Sequence, residues 1–126
     1  MLIEKRANQY GVVFDHWQLC EFLGSGSGGK TAVYRLVHRE NPRMQSALKI
    51  VSLIEREGKI EALNALQRQQ YEKAVEQYTC HAENEVNLMY ALGGHSNIVG
   101  YLDHTVVDWA FGGRFGRDLL IRMDYM

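Results

Sequence analysis

The sequence lacks several features that would assign it to a specialised class of protein. Its two cysteines, Cys20 and Cys80, are too few for a disulfide framework, so we expect reduced thiols. No apolar run follows the charged N-terminus, which argues against a signal peptide and a membrane span and predicts a cytoplasmic location. The formal net charge of -1 leaves no basic surface for nucleic acid. With one proline and no internal repeat, the 126 residues are predicted to form one soluble domain or part of one.

Glycine is the exception to this ordinary composition. Four glycines lie within the six positions 24–29, namely Gly24, Gly26, Gly28 and Gly29, and Lys30 and Thr31 follow them. Ordering four glycines costs more conformational entropy than a simple connector requires. Closely spaced N–H groups without a Cβ form a concave anion site, so the run predicts a phosphate-binding loop.

Two phosphate-binding patterns match the same residues. The P-loop pattern G-x-x-x-x-G-K-[ST] is complete, with Lys30 as the lysine that reaches the β- and γ-phosphates. The weaker pattern G-x-G-x-x-G, shared by dinucleotide-binding folds and protein kinases, is matched by Gly24, Gly26 and Gly29. A P-loop requires a helix directly after the glycines. Residues 32–39 instead alternate in polarity, which favours a strand.

Hydrophobic periodicity predicts an α+β fold, in which about five antiparallel strands form a sheet beside one long helix. The helix is expected from about 55 to 92, where apolar residues recur at three and four positions, and it is expected to stop at Gly93 and Gly94. Residues 1–14 show no clear period, and residues 1–16 are taken as an N-terminal arm. The predicted strands are 17–23, 32–39, 46–51, 97–102 continuing through 105–107, and 119–126.

Two charged residues lie where the pattern predicts a core. Lys49 is the one charge in the apolar stretch 47–51, and Glu85 falls on the helix stripe that holds Tyr78 and Ala82. Because a buried charge is costly without a partner, the two are predicted to form an ion pair. Alternatively, Lys49 extends from a sheet edge into water and Glu85 faces solvent at a helix boundary.

Five motifs occur in a defined order in this sequence. The first is 23–26 leading into 33–35, and the others are 47–51, 84–89, 95–99 and 120–126. In that order they resemble the N-terminal lobe of a eukaryotic-type serine/threonine protein kinase. The resemblance covers most of residues 17–126, and no single motif carries it. It implies an incomplete kinase domain over 17–126, truncated at the hinge, and a full-length enzyme that transfers the γ-phosphate of ATP to Ser or Thr of protein substrates.

The resemblance also implies a role for each matching residue. The glycine loop would close over the ATP phosphates, with its register left open, while Val33 and Ala47 would line the adenine pocket. Lys49 would pair with the α- and β-phosphates and be held by Glu85, so these two are the implied catalytic residues. Met123 falls at the gatekeeper position. The hinge would begin at Asp124, directly after Met123. The implied nucleotide-binding residues are Leu23, Gly24, Gly26, Gly28, Gly29, Val33, Ala47, Lys49, Met123, Asp124 and Met126.

The catalytic motifs that follow the hinge in such kinases are not in this sequence. It has no His-Arg-Asp and no Asp-Phe-Gly segment, so the catalytic base and the Mg²⁺ ligands are expected in a C-terminal lobe after Met126. We therefore expect no metal site and no phosphotransfer in this chain alone, and only weak ATP binding. Apolar surface near Met89 and Met123 would meet that lobe or support a homodimer. The alternatives are a P-loop NTPase that uses Gly24 to Thr31, and a pseudokinase or interaction scaffold.

Overall fold

A computed structural model describes residues 3–25, 30–91 and 101–125, which form an antiparallel sheet with one long helix. Six strands lie in the order β1-β2-β3-β4-β6-β5, and each neighbouring pair is antiparallel. The strands are β1 (Val12–Val13), β2 (Trp17–Ser25), β3 (Thr31–His38), β4 (Gln45–Glu57), β5 (Tyr101–Phe111) and β6 (Arg114–Asp124). The helices are α1 (Ile3–Arg6) and α2 (Ala65–Ala91), with 3-10 turns at Ala7–Gln9 and Ile60–Ala62. The α+β prediction is confirmed, but the short β1 in the arm makes the strands six rather than about five.

One face of the sheet carries the larger core. Along β3 every second side chain is buried, which is the alternation expected of a strand with one face turned inward. The arm supplies the other side of this core through Ile3 and Ala7, both almost completely buried. The sheet residues of this core are Val13, Trp17, Ala32, Tyr34, Leu36, Leu48, Ile50 and Leu120.

The arm is joined to the sheet by a buried ion pair as well as by apolar contacts. Arg6 donates from Nη2 to Asp118 Oδ1 at 2.8 Å, and its Nη1 donates to Oδ2. The guanidinium also lies 3.7 Å from the centre of the Trp109 ring. Tyr10 donates its hydroxyl to Asp118, and burial together with the Asp118 charge raises the pKa of that phenol, so it stays a donor. Ile3, Arg6 and Ala7 are therefore buried in the core and Tyr10 packs against it, although the arm shows no period in its sequence.

The other face of the sheet is covered by α2. Its buried side chains are spaced by four, seven and four positions, which keeps them on one side of a helix. They form two clusters with sheet residues. Tyr71 and Val75 pack against Ile54 and Phe115, and Ala82 and Val86 pack against Leu119 and Ile121. Neither α2 nor any other helix in the described ranges is long and apolar enough to cross a membrane.

The long helix was expected to begin at about residue 55, and that expectation is wrong, because residues 55–57 belong to β4. The strand continues to Glu57, and Gly58, with φ of 91°, ends it. Arg114 on β6 donates to Glu55 at 3.0 Å and to Glu57 at 3.1 Å, so cross-strand charge pairs hold this segment in the sheet. The charge pattern of residues 55–61 alone is compatible with a helix, and pairing with β6 decides against it.

A reciprocal cap explains why α2 begins at Ala65. The side chain of Asn64 accepts from the Gln67 backbone N–H at 2.8 Å, and the Gln67 side chain accepts from the Asn64 backbone N–H at 3.0 Å. This arrangement is a capping box, which satisfies two N–H groups that the first turn leaves unpaired.

Replacing Asn64 by alanine is expected to lower the free energy of unfolding by about 1 kcal/mol, because one N-terminal N–H loses its acceptor. Urea unfolding followed by circular dichroism measures the change. Gln70→Ala is the matched control, since Gln70 is exposed in the interior of α2 and alanine is a good helix former. Equal midpoints for the two variants would show that the cap does not stabilise α2.

Candidate functional site

Strand register brings several of the predicted nucleotide-binding residues to one face of the sheet. Gly24 lies opposite Val33, and Val33 lies opposite Lys49. In the neighbouring row Ala47 lies opposite Met123. Directly opposed residues of antiparallel strands share a face, as do residues two apart on one strand. These five residues are called the glycine–lysine face below. It is the face covered farther along by α2, because Met123 packs against the cluster of Ala82 and Val86.

Lys49 is a half-buried cation on this face. Its strand neighbours in register are the apolar Val33 and Ile121. Among the residues that the structure describes, no hydrogen bond or ion pair engages its ammonium group. A partly desolvated cation without a counter-ion lowers its free energy by binding an anion. Lys49 is therefore the residue of the glycine–lysine face at which an anion could bind.

Glu85 does not face the core, and its predicted place on the buried stripe of α2 is wrong. Its side chain is 68% exposed, and Oε1 lies 3.2 Å from Nε2 of His81. Tyr78, assigned to the same stripe, is 53% exposed. Val86 occupies the side that faces the sheet, and consecutive helical residues point about 100° apart. The predicted Lys49–Glu85 ion pair is therefore not formed in this structure, and Glu85 pairs with His81.

The start of the glycine run is open, as close approach of a ligand would need. A Cβ built on Gly24 meets no atom within 4 Å. Leu23, beside it, lies at a register shift in β2 and is 41% exposed. The predicted ligands Gly26, Gly28, Gly29 and Met126 lie outside the described residues, as do the 95–99 motif, the predicted helix stop at 93–94 and the side chain of Met89. Asp124 is exposed, and its partner in register is Ser46 on the opposite face from Met123.

The chain leaves the glycine run as a strand. Lys30 is exposed, and its carbonyl accepts from the Ser52 backbone N–H at 2.8 Å. Thr31 then begins β3, which pairs with both β2 and β4. The strand predicted after the glycines is confirmed, and no helix N-terminus follows Lys30. The phosphate-binding geometry of a P-loop depends on such a helix.

A second cation on the glycine–lysine face was not singled out from the sequence. Arg35 lies opposite Ala47, two positions along β3 from Val33. Its guanidinium donates to Cys20 Sγ at 3.0 Å and lies 3.8 Å from Glu21. The alternation of β3 already predicts that Val33 and Arg35 share one side of the strand, so the position of Arg35 on this face could have been inferred from the sequence. In the described part of the chain, no three His, Cys, Asp or Glu side chains are grouped as metal ligands.

Comparison with known proteins gives the chain no family: no family model and no curated protein matches it.

Proposed function

We propose that this chain is the ATP-binding lobe of a serine/threonine protein kinase, and that the full protein transfers the γ-phosphate of ATP to Ser or Thr of protein substrates. One observation carries the proposal. Lys49 is a half-buried cation without a partner in the described residues, and it shares a face with Gly24, Val33, Ala47 and Met123. The resemblance gave nucleotide-binding roles to those same five positions.

Each residue of this face has a physical task in that proposal. Bound ATP supplies the phosphoryl group that is transferred. The Lys49 ammonium binds the α- and β-phosphates, where a charge-assisted contact favours the anion. Val33 and Ala47 offer apolar, small side chains against the adenine ring, and Met123 bounds the same pocket. The open space at Gly24 admits the phosphates close to the backbone. Mg²⁺ ligands and a catalytic base would come from a C-terminal lobe.

Glu85 has a conditional place in this proposal. It would reach Lys49 only if α2 turned by about 100° about its axis, because Val86 now takes the sheet-facing position. Such a turn would take Val86 out of its cluster with Leu119 and Ile121. A new pair with Lys49 would replace the exposed contact between Glu85 and His81, which is worth little in water. The proposal therefore assigns phosphate binding to Lys49 and makes Glu85 a positioning residue in an alternative orientation of α2.

The P-loop alternative uses Lys30 in place of Lys49. It receives less support, because β3 rather than a helix follows Lys30 and because it leaves the half-buried Lys49 without a task. The scaffold alternative keeps the fold but needs no nucleotide. The two alternatives and the kinase proposal differ in which lysine, if either, contributes to ATP binding.

Lys49→Met is expected to weaken ATP binding by about tenfold, whereas Lys30→Met changes it less than about twofold, because the loss of one charge-assisted contact corresponds to roughly a factor of ten. A titration of the isotope-labelled chain with ATP, followed by NMR amide shifts, measures the weak affinity and locates the site. The shifts are expected to centre on Gly24, Val33 and Lys49.

The two lysines serve as matched controls for each other, since each substitution removes one positive charge. The opposite ranking would establish the P-loop assignment, and unchanged spectra at saturating ATP would favour the scaffold. Phosphotransfer by this chain alone would contradict the expectation that its catalytic aspartates lie elsewhere. In the full-length protein, Lys49→Met should abolish phosphotransfer and Lys30→Met should not.

A further inference from the structure

A groove lies between the first half of α2 and the hairpin of β5 and β6, away from the glycine–lysine face. It encloses about 800 Å³ and is open to solvent along one side. Its base contains Tyr71, Val75 and Phe115, with the Tyr71 and Phe115 rings in edge contact at 5.1 Å between centroids. The volume and the apolar base are typical of a site that receives a ligand or an anchoring side chain.

The rim of this groove is acidic. Four carboxylates and two guanidinium groups line it, belonging to Glu72, Glu76, Glu83, Asp108, Arg68 and Arg117. Each arginine is already paired, Arg117 with Asp108 at 2.7 Å and Arg68 with Glu72 at 3.8 Å. Glu76 and Glu83 form no ion pair within the described ranges, so they leave the rim with an excess of negative charge. A basic partner would complement it.

The spacing of the acidic residues indicates the shape of that partner. Glu72, Glu76 and Glu83 lie four and seven positions apart, so they follow one side of α2. From Glu72 to Glu83 the helix rises about 16 Å, the length of roughly five residues of extended chain. The apolar base lies beside the first half of this row. A linear segment with one apolar anchor and several cations therefore fits better than a compact small molecule.

We infer that this groove binds an extended segment of another protein, in which an aromatic or aliphatic side chain enters between Tyr71, Val75 and Phe115 and flanking lysines or arginines contact Glu76 and Glu83. None of the residues that line this groove belongs to the glycine–lysine face. The groove is formed by the segment between Lys49 and Glu85 and by the β5–β6 hairpin.

The test uses a short fluorescein-labelled peptide with one phenylalanine flanked by lysines, titrated with the complete chain and followed by anisotropy. Saturable binding is expected, with NMR shifts at Tyr71, Glu76 and Arg117. Glu76→Lys is expected to weaken binding about fivefold, the factor for one exposed ion pair lost. Glu40→Lys changes net charge equally at an exposed turn outside the groove, and it should weaken binding less than about twofold.

Two altered peptides probe the anchor and the charge without altering the fold of the protein. Alanine in place of phenylalanine should weaken binding at least about tenfold, because the buried aromatic area is lost. Glutamates in place of lysines should prevent binding. Equal binding of the acidic peptide, or equal effects of Glu76→Lys and Glu40→Lys, would overturn the inference. So would a dimer of this chain in sedimentation that Glu76→Lys dissociates, since a second copy would then occupy the groove.

Discussion

Replacing Asp118 by asparagine is expected to lower the free energy of unfolding by about 3–5 kcal/mol, the usual cost of removing one partner from a buried ion pair. Asp118 is completely buried and Arg6 is 2% exposed. The amide nitrogen of the new side chain would face the Arg6 and Tyr10 donors, so at least one donor would lose its acceptor. Urea unfolding followed by tryptophan fluorescence, to which Trp109 beneath Arg6 contributes, measures the change.

The cost is large because Arg6 keeps its charge. Burial by itself lowers the pKa of Arg6, but the hydrogen bond and the charge of Asp118 outweigh it and raise the pKa above its ordinary value. Arginine does not deprotonate in proteins, so without Asp118 the guanidinium would be left as an uncompensated buried charge. We expect the arm to detach from the sheet before the sheet unfolds.

Asp108→Asn is the matched control for this experiment. The Asp108 carboxylate also accepts from an arginine, Arg117 at 2.7 Å, but its side chain is 69% exposed. Loss of an exposed pair should cost less than about 1 kcal/mol, because water and salt screen both charges. Similar shifts for Asp118→Asn and Asp108→Asn would mean that the buried pair does not hold the arm.

Gly116→Ala is expected to destabilise the protein by about 3 kcal/mol, because the added methyl group has no room. A Cβ at this position would lie 1.9 Å from the Ile54 carbonyl oxygen, which belongs to the backbone and cannot move alone. The register of β4 and β6 shifts between Ser52 and Ile54, where the two backbones come close. The substitution would force the strands apart beside Phe115. Thermal unfolding by circular dichroism is the measurement.

Gly24→Ala provides the contrasting glycine substitution. A Cβ at Gly24 meets nothing within 4 Å, and its φ is not positive. Alanine restricts the unfolded chain more than glycine does, so this variant is expected to gain about 0.5 kcal/mol or to be neutral. If Gly116→Ala unfolded at the same temperature as Gly24→Ala, close packing of the backbone at Gly116 would not be the reason for glycine there.

The sequence predicted a strand well where polar and apolar residues alternate along it. β2 and β3 were expected at 17–23 and 32–39 and lie at Trp17–Ser25 and Thr31–His38. Gly116 lies inside β6, ahead of the strand that was expected at 119–126. Its role as a gap for the Ile54 carbonyl depends on a strand that is distant in sequence. The residues that neighbour Gly116 in the sequence therefore do not show why glycine is required there.

The helix shows the same division. Its existence follows from periodicity, and the buried Tyr71, Val75 and Ala82 lie on one side of it. Farther along, Glu85 and Val86 lie on either side of the line that these residues define. Contact between Val86 and the β6 side chains Leu119 and Ile121 selects Val86 as the buried residue. This selection turns Glu85 to solvent.

Alternation and turn residues act over a few neighbouring positions, so they can be read without the fold. The sequence therefore predicted the antiparallel strands around the glycine run, the strand after Lys30 and the position of Lys49 on an apolar strand. Only the tertiary structure decided that the arm belongs to the core and which side of α2 is buried. Arg6 and Asp118 are 112 positions apart, and no local period relates residues so far apart. Their pairing follows from the order of strands in the sheet, which places β6 under the arm.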